Sequence, residues 1–150
     1  GLEFNVAFTE FLVYGIDKEW LLAHPDADKM SLQELSSLVR GEGGFIVHAH
    51  PFRQRPYIKC IRLLPDYVDA VEAVNAAHPE GSPFNDRAKW YASEFGLPVS
   101  GGSDNHINNP IFLGGIYTEE KIKSWQDYKR LVNERRVTPF MERNPFYTIS

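Results

Sequence analysis

Apolar and polar residues alternate over residues 2–6, and this period of two predicts a β-strand. Residues 11–16 are almost continuously apolar, which predicts a second, buried strand. Residues 17–30 follow neither pattern, so we expect a loop there with one helical turn near Trp20. The chain therefore opens on two strands with little between them.

Three helices are predicted from their start signals and their apolar spacing. Ser31 and Glu34 form a capping-box pattern, Ser82 and Pro83 place proline at a first helical position, and Ser124 precedes the last helix. The inward faces are expected to be Leu32, Leu35, Leu38 and Val39, then Ala88, Tyr91, Ala92 and Phe95, then Tyr128, Leu131 and Val132.

Further strands are predicted between these helices, over residues 45–51, 67–74, 97–100, 112–117 and 137–142. Residues 52–65 look irregular. Strands and helices that alternate with short connections favour an α/β fold with a mostly parallel sheet or barrel. A complete (β/α)₈ barrel needs about 250 residues. We therefore expect residues 1–150 to form one domain, either part of a barrel or a small open sheet.

Composition narrows the class of protein. A hydrophobic fraction of 43% excludes a disordered chain, and a net charge of −4 does not favour long nucleic acid as a ligand. No apolar run approaches the roughly 18 residues of a membrane helix, and no signal peptide opens the chain, so we expect a cytoplasmic protein. The single cysteine, Cys60, excludes an intramolecular disulfide and is expected to pack in the interior.

Two pairs of potential metal ligands stand at predicted strand ends. His48 and His50 are two residues apart on one strand and are expected to point to the same face. Asp104 and His106 follow a glycine turn at the end of another strand. Because carboxyl ends of parallel strands meet at one edge, these side chains can form a zinc, manganese or iron site, with Glu3 as a further carboxylate.

Each of these residues also has an ordinary structural interpretation. His48 fits a core histidine, His50 a turn residue, Asp104 a turn cap, and Glu3 a solvated strand residue. Three further residues stay open between a functional and a structural role: Glu72 as a buried paired carboxylate or a catalytic one, and Arg53 and Arg55 as phosphate ligands or solvated charges. His78 precedes a proline in a polar loop and is expected at the surface.

The motifs, in their order, resemble the PHP family, the polymerase and histidinol phosphatase domains. They are Gly1-x-Glu3, Tyr14-Gly15-Ile16-Asp17, Ala49-His50-Pro51, Glu72-x-x-Asn75 and Gly102-Ser103-Asp104-x-His106. The similarity runs from residue 1 to about residue 118. The family's opening His-x-His motif is absent here. The chain therefore resembles the C-terminal portion of a PHP domain, and we expect residues before Gly1 in the natural protein.

The resemblance implies a distorted (β/α)₇ TIM-like barrel with mostly parallel strands, and two or three divalent metal ions in the full domain. Glu3 matches the family's bridging carboxylate, His50 its His-Pro histidine, and Asp104 with His106 its final ligand pair. Glu10 stands where the family often has a histidine, and a carboxylate can also bind metal. His48 is an addition to the pattern, as a ligand or a supporting group.

The predicted function is a metal-dependent phosphoesterase that hydrolyses a small phosphate ester. Asp104 and His106 are its expected catalytic residues, and Arg53, with Arg55 as a second candidate, its phosphate ligands. Two alternatives stay open. The chain is a non-catalytic scaffold that self-associates through exposed strand edges, or it is another barrel metallohydrolase of the amidohydrolase kind.

Overall fold

The computed structural model describes residues 1–148, which form a mixed α/β structure. The strands are β1 Leu2–Val6, β2 Thr9–Tyr14, β3 Phe45–His48, β4 Ala70–Asn75, β5 Val99–Gly102, β6 Phe112–Tyr117 and β7 Thr138–Arg143. The helices are α1 Lys18–Ala23, α2 Leu32–Gly41, α3 Phe84–Glu94 and α4 Trp125–Asn133. No helix in this part of the chain is long and apolar enough to cross a membrane.

Five strands form one sheet in the order β1-β2-β3-β4-β5. The pairings of β3 with β4 and of β4 with β5 are parallel, whereas β1 with β2 and β2 with β3 are antiparallel. Ala7 and Phe8 join β1 to β2 with positive φ angles of 50° and 67°. Because so short a connection permits only an antiparallel hairpin, the predicted parallel arrangement is confined to β3, β4 and β5.

The remaining two strands, β6 and β7, pair antiparallel in a second sheet that packs against β5. Glycines allow this approach, since a Cβ atom on Gly101 would lie 2.6 Å from the Gly115 carbonyl oxygen, and one on Gly114 would collide with the Gly102 carbonyl. Among residues 1–148 the strands form an open sheet and a separate pair. The TIM-like barrel is therefore not confirmed.

Helices cover both faces of the five-stranded sheet. Helix α2 packs over β1, β2 and β3, α4 covers the other side of β3, and α3 lies against β4. The buried helix residues are Leu35 and Val39 of α2, Leu131 and Val132 of α4, and Ala88, Tyr91 and Ala92 of α3. Each of these was predicted to face inward, because the apolar spacing defines the buried stripe of a helix.

The predicted helix starts are confirmed in α2 and α4. The Ser31 hydroxyl accepts a hydrogen bond from the Glu34 amide at 3.3 Å, and the Glu34 carboxylate accepts one from the Ser31 amide at 2.9 Å. The Ser124 hydroxyl accepts from the Asp127 amide at 3.2 Å. These short-range pairings stabilise each helix by about 1 kcal/mol whatever packs against it.

Two predictions of burial are wrong. Phe95 follows the last residue of α3 and is 45% exposed, because the helix ends before the residue can turn inward. Cys60 is exposed in the irregular segment between β3 and β4. It lies outside the core because that segment crosses the surface without regular structure.

Candidate metal centre

Glu3, Glu10 and His50 meet at one edge of the five-stranded sheet. Glu3 of β1 and Glu10 of β2 lie on one face of the hairpin, since Glu3 pairs with Leu12 and Glu10 with Asn5. His50 lies two residues beyond the end of β3. Its Nε2 lies 3.3 Å from a Glu3 carboxylate oxygen and 3.5 Å from a Glu10 oxygen. We name these three residues the acidic cluster.

The acidic cluster has the donor chemistry of a transition-metal site. One ligand atom from each residue lies within 4.8 Å of the other two. The hydrogen bond from His50 lowers the pKa of Glu3, and the positive charge of a protonated His50 acts in the same direction. Two carboxylates and one imidazole suit zinc, manganese or iron, so the residues present fit one such ion.

A buried carboxylate, Glu72, fixes the backbone that carries His50. The amide of His50 donates to a Glu72 oxygen at 2.9 Å, and the side-chain amide of Asn75 donates to the same oxygen at 3.0 Å. His50 has a φ of 25°, a strained value for a non-glycine residue. A Cβ atom on Gly102 would lie 2.5 Å from the other Glu72 oxygen, so this glycine makes room for the carboxylate.

A second polar group lies beside the acidic cluster and centres on Asp104. The Arg53 guanidinium donates to the Asp104 carboxylate and, at 3.3 Å, to the side-chain oxygen of Asn75. Asn75 also donates to Asp104 at 3.4 Å. Arg53 is buried, and its guanidinium group forms an ion pair with the Asp104 carboxylate. The turn itself is capped by Asn105, whose side chain accepts from the Ile107 amide, and not by Asp104.

His106 lies at the surface next to Asp104. Its side chain is 78% exposed, and its Nδ1 is 3.0 Å from the Asp104 carbonyl and 3.4 Å from the Asp104 carboxylate. The side chains of the predicted final ligand pair, Asp104 and His106, therefore lie next to each other. The pair does not join the acidic cluster in the described chain.

One cavity of about 670 Å³ connects these groups. Glu3 and Glu10 line it together with Arg53, Asp104 and His106. Arg55 is exposed and lines the same cavity, whereas His50 is 5% exposed and does not line it. Carboxylates and guanidinium groups therefore face one space, which is large enough for a small organic phosphate.

His48, predicted as a possible metal ligand, does not join the acidic cluster in the described residues. It is fully buried, its ring stacks on Phe11 at 5.2 Å between centroids, and it meets Tyr91 edge-on at 5.6 Å. Neither ring nitrogen has a hydrogen-bond partner in the described residues, and burial lowers its pKa to about 3. Strand β3 ends at His48, so the alternation that would align the two imidazoles stops before His50.

His78 was expected at the surface, and this prediction is wrong. It is 5% exposed, lines the cavity, and its Nδ1 lies 2.8 Å from the Asn85 side-chain oxygen. Burial is the main cause that lowers its pKa to about 4. Polar neighbours and a following proline favoured a surface loop, and nothing local in the sequence signalled that α3 would cover the residue. Glu72, which the sequence left open between a buried paired carboxylate and a catalytic one, is buried and accepts hydrogen bonds from His50 and Asn75.

Comparison with known proteins finds one family match and a similar solved structure. Residues 83–127 match a protein family described as PHP-associated. The fold is similar to that of PsfC from Pseudomonas syringae PB-5123, with a TM-score of 0.64 and 24% sequence identity. The match covers 93% of this chain and 57% of PsfC, so the chain spans little more than half of that protein. No curated protein matches the chain.

Proposed function

We propose that the chain carries the site of a metal-dependent phosphoesterase for a small phosphate ester; residues 83–127 match the PHP-associated family. The observation that supports this proposal is the shared cavity, which is lined by Glu3 and Glu10, with His50 next to both, and also by Arg53 and Asp104. The carboxylates and the imidazole of the acidic cluster are suited to a metal cation, and Arg53 is suited to an anion such as phosphate. A phosphate ester coordinated by a metal ion satisfies both.

Glu3, Glu10 and His50 are the residues that would hold the ion. A bound divalent cation activates a water molecule and neutralises charge on the phosphoryl oxygens. Asp104 and His106 line the same cavity and are our proposed donors for a further ion, as the resemblance to the PHP family implies. Zinc, manganese and iron all suit these ligands.

Arg53 is the proposed phosphate ligand. Its guanidinium group has a planar set of donors that matches two phosphoryl oxygens, and its charge is less screened because the side chain is buried. Its Nε has no hydrogen-bond partner within residues 1–148. Arg55, at the exposed mouth of the cavity, is the second candidate and would meet the substrate on entry.

Asp104 and His106 are the proposed catalytic residues. Hydrolysis joins a water oxygen to phosphorus and releases the alcohol, so one proton must leave the water and one must reach the alcohol oxygen. We assign the first transfer to Asp104, whose carboxylate the Arg53 and Asn75 hydrogen bonds orient. His106, exposed next to it, is the proposed donor to the leaving oxygen.

Metal content and phosphate release test this proposal together. The chain, purified without chelator, should retain one or more equivalents of transition metal by mass spectrometry, and a Glu3→Gln, Glu10→Gln double variant should lose it. Asp104→Asn should abolish phosphate release from phosphate monoesters. Asp86→Asn is the matched control, because Asp86 is an exposed aspartate on α3 and does not line the cavity. A metal-free parent chain, or an Asp104→Asn variant with full activity, would contradict the proposal.

Substitution of Arg53 and Arg55 distinguishes a phosphoesterase from an amidohydrolase-like enzyme. Replacing Arg53 and Arg55 with alanine should raise KM for a phosphate ester by about tenfold or more, since hydrogen bonds to charged groups are worth about 1.5–3 kcal/mol. An Arg87→Ala variant provides the control, because Arg87 is exposed on α3. Unchanged KM in the double variant would favour the amide or cyclic-imine chemistry instead.

A non-catalytic scaffold is the second candidate function, and the free edge of β1 is the observation that favours it. Within the described residues β1 pairs with β2 alone, at one end of the five-stranded sheet. Unpaired backbone groups along an edge strand are a template for pairing with another chain. We propose self-association at this edge as the activity that would remain if no metal is bound.

A further inference from the structure

His78 is a buried histidine for which the proposed chemistry has no use. It follows β4 in the segment that leads to α3, is 5% exposed and lines the cavity that holds the acidic cluster and Arg53. Its Nδ1 forms a hydrogen bond with the side chain of Asn85, which does not line the cavity. Its Nε2 is buried and has no hydrogen-bond partner among residues 1–148.

The hydrogen bonds of Asn85 fix which nitrogen of His78 carries the proton. The side-chain oxygen of Asn85 accepts from the Asn75 backbone amide at 3.0 Å, and its side-chain nitrogen donates to the Asn75 carbonyl at 3.3 Å. Because a backbone amide can only donate and a carbonyl can only accept, the Asn85 amide has a single orientation. The atom that faces His78 is therefore an acceptor, and Nδ1 of His78 must donate to it.

It follows that Nε2 of a neutral His78 is an acceptor with a free lone pair. Burial holds the pKa of His78 near 4, so the ring is neutral at pH 7. The Arg53 and Arg55 charges add to this lowering. A buried acceptor without a donor destabilises the fold, and such groups are rare in folded proteins. A ligand that supplies the missing donor would relieve this destabilisation on binding.

The cavity has room for such a ligand beyond the phosphate itself. Its volume of about 670 Å³ falls within the range for organic ligands of about 300–1,000 Å³, and His78 shares it with Arg53. We propose that Nε2 of His78, exposed to the cavity by a small side-chain movement, accepts a hydrogen bond from a hydroxyl or N–H group on the alcohol part of the substrate. This inference rests on the proposed function, and it makes His78 a specificity-determining residue that selects phosphate esters of polar alcohols over plain alkyl phosphates.

Phosphonates test the inference without catalysis, because their carbon–phosphorus bond is not hydrolysed by a phosphoesterase. We would compare ω-hydroxyalkyl phosphonates of two to four carbons with alkyl phosphonates of matched length, using calorimetry on the manganese-loaded chain. Inorganic phosphate serves as the reference ligand. At least one hydroxyl compound should bind about tenfold or more tightly than its alkyl partner, because the alkyl compound leaves Nε2 without a donor.

Substitutions then assign this preference to His78. In His78→Phe the preference should vanish while the affinity for inorganic phosphate is unchanged, and in His78→Gln part of it should return, because the amide oxygen is an acceptor. His24→Phe is the matched control, since His24 does not line the cavity. Equal affinities on the unmodified chain would overturn the inference without any variant, and His78→Gln still tests the assignment if His78→Phe fails to fold.

The outcomes separate this inference from the proposed function. Equal affinity for hydroxyl and alkyl phosphonates, with phosphate still bound, would overturn the role of His78 and leave the phosphoesterase proposal standing. A hydroxyl preference that His78→Phe abolishes would support the inference even in a chain without hydrolytic activity. Failure to bind any phosphonate or phosphate would overturn both.

Discussion

Two residues next to the candidate site have strained backbone angles, and a buried side chain restrains each of them. His50 has a φ of 25° and Asp104 a φ of 45°. Such angles cost of order 1–3 kcal/mol at non-glycine residues and persist only where the surroundings enforce them. Glu72 accepts from the amide of His50, whereas Arg53 and Asn75 bind the carboxylate of Asp104. Buried partners on β4 and in the segment after β3 thus position both His50 and Asp104.

Replacing Glu72 should release the backbone of His50. In Glu72→Ala, the amides of His50 and Asn75 lose a buried acceptor, so we expect the free energy of unfolding to fall by about 1–3 kcal/mol. Manganese affinity should fall about 10–100-fold, as it does when supporting groups of metal ligands are removed. Urea denaturation and calorimetry measure the two effects. Glu94→Ala, an exposed position at the end of α3, should change neither. Full manganese affinity in Glu72→Ala would show that His50 does not need this support.

His78 should make the stability of the chain depend on pH below neutrality. Its pKa is lowered to about 4 in the folded chain and is near 6.5 when unfolded, so the unfolded state binds the proton first. The contribution is complete above pH 6.5 and is lost as the pH falls toward 4. Between pH 7.5 and 5 the unmodified chain should therefore lose about 2 kcal/mol more than His78→Phe. Parallel slopes in urea denaturation would show that His78 titrates normally.

At the scale of elements, the sequence predicts those features that depend on residues close together in the chain. Ser31 and Ser124 mark helix starts because their partners lie three residues away. The pairing direction of β1 could not be predicted in this way, because the strand pattern is the same for a hairpin and for a parallel neighbour. The positions of His48 and His78 depend on where β3 ends and on how α3 packs, which are non-local properties.

The contact between β5 and the β6–β7 sheet can be tested at its glycines. Gly101→Ala should destabilise the chain by about 1–3 kcal/mol, because the new Cβ atom would lie 2.6 Å from the Gly115 backbone oxygen. Gly102→Ala should also weaken manganese binding, since its Cβ atom would displace Glu72. Gly41→Ala is the control: nothing lies within 4 Å of its Cβ position in α2, so it should be neutral or stabilising. Equal effects of all three substitutions in thermal denaturation would contradict this account.

At the scale of the whole molecule, the open sheet predicts concentration-dependent self-association. The edge strand β1 carries Leu2, which is 42% exposed, and the adjacent turn carries Phe8, which is 44% exposed. Pairing through this edge would satisfy backbone groups and cover apolar surface together. Sedimentation velocity should therefore show dimers that dissociate on dilution.

A lysine on the edge strand should prevent that association, because pairing would then bury a charge. Leu2→Lys should shift the chain to monomer, whereas Leu22→Lys, at a 71% exposed position on α1, should not. The same experiment distinguishes between the two proposed functions, the phosphoesterase and the scaffold. A monomer that binds metal and releases phosphate leaves the scaffold role without support, because the site is then sufficient without a partner. A metal-free dimer that Leu2→Lys dissociates would favour the scaffold, because the chain would then associate through β1 without binding the metal that the catalytic proposal requires.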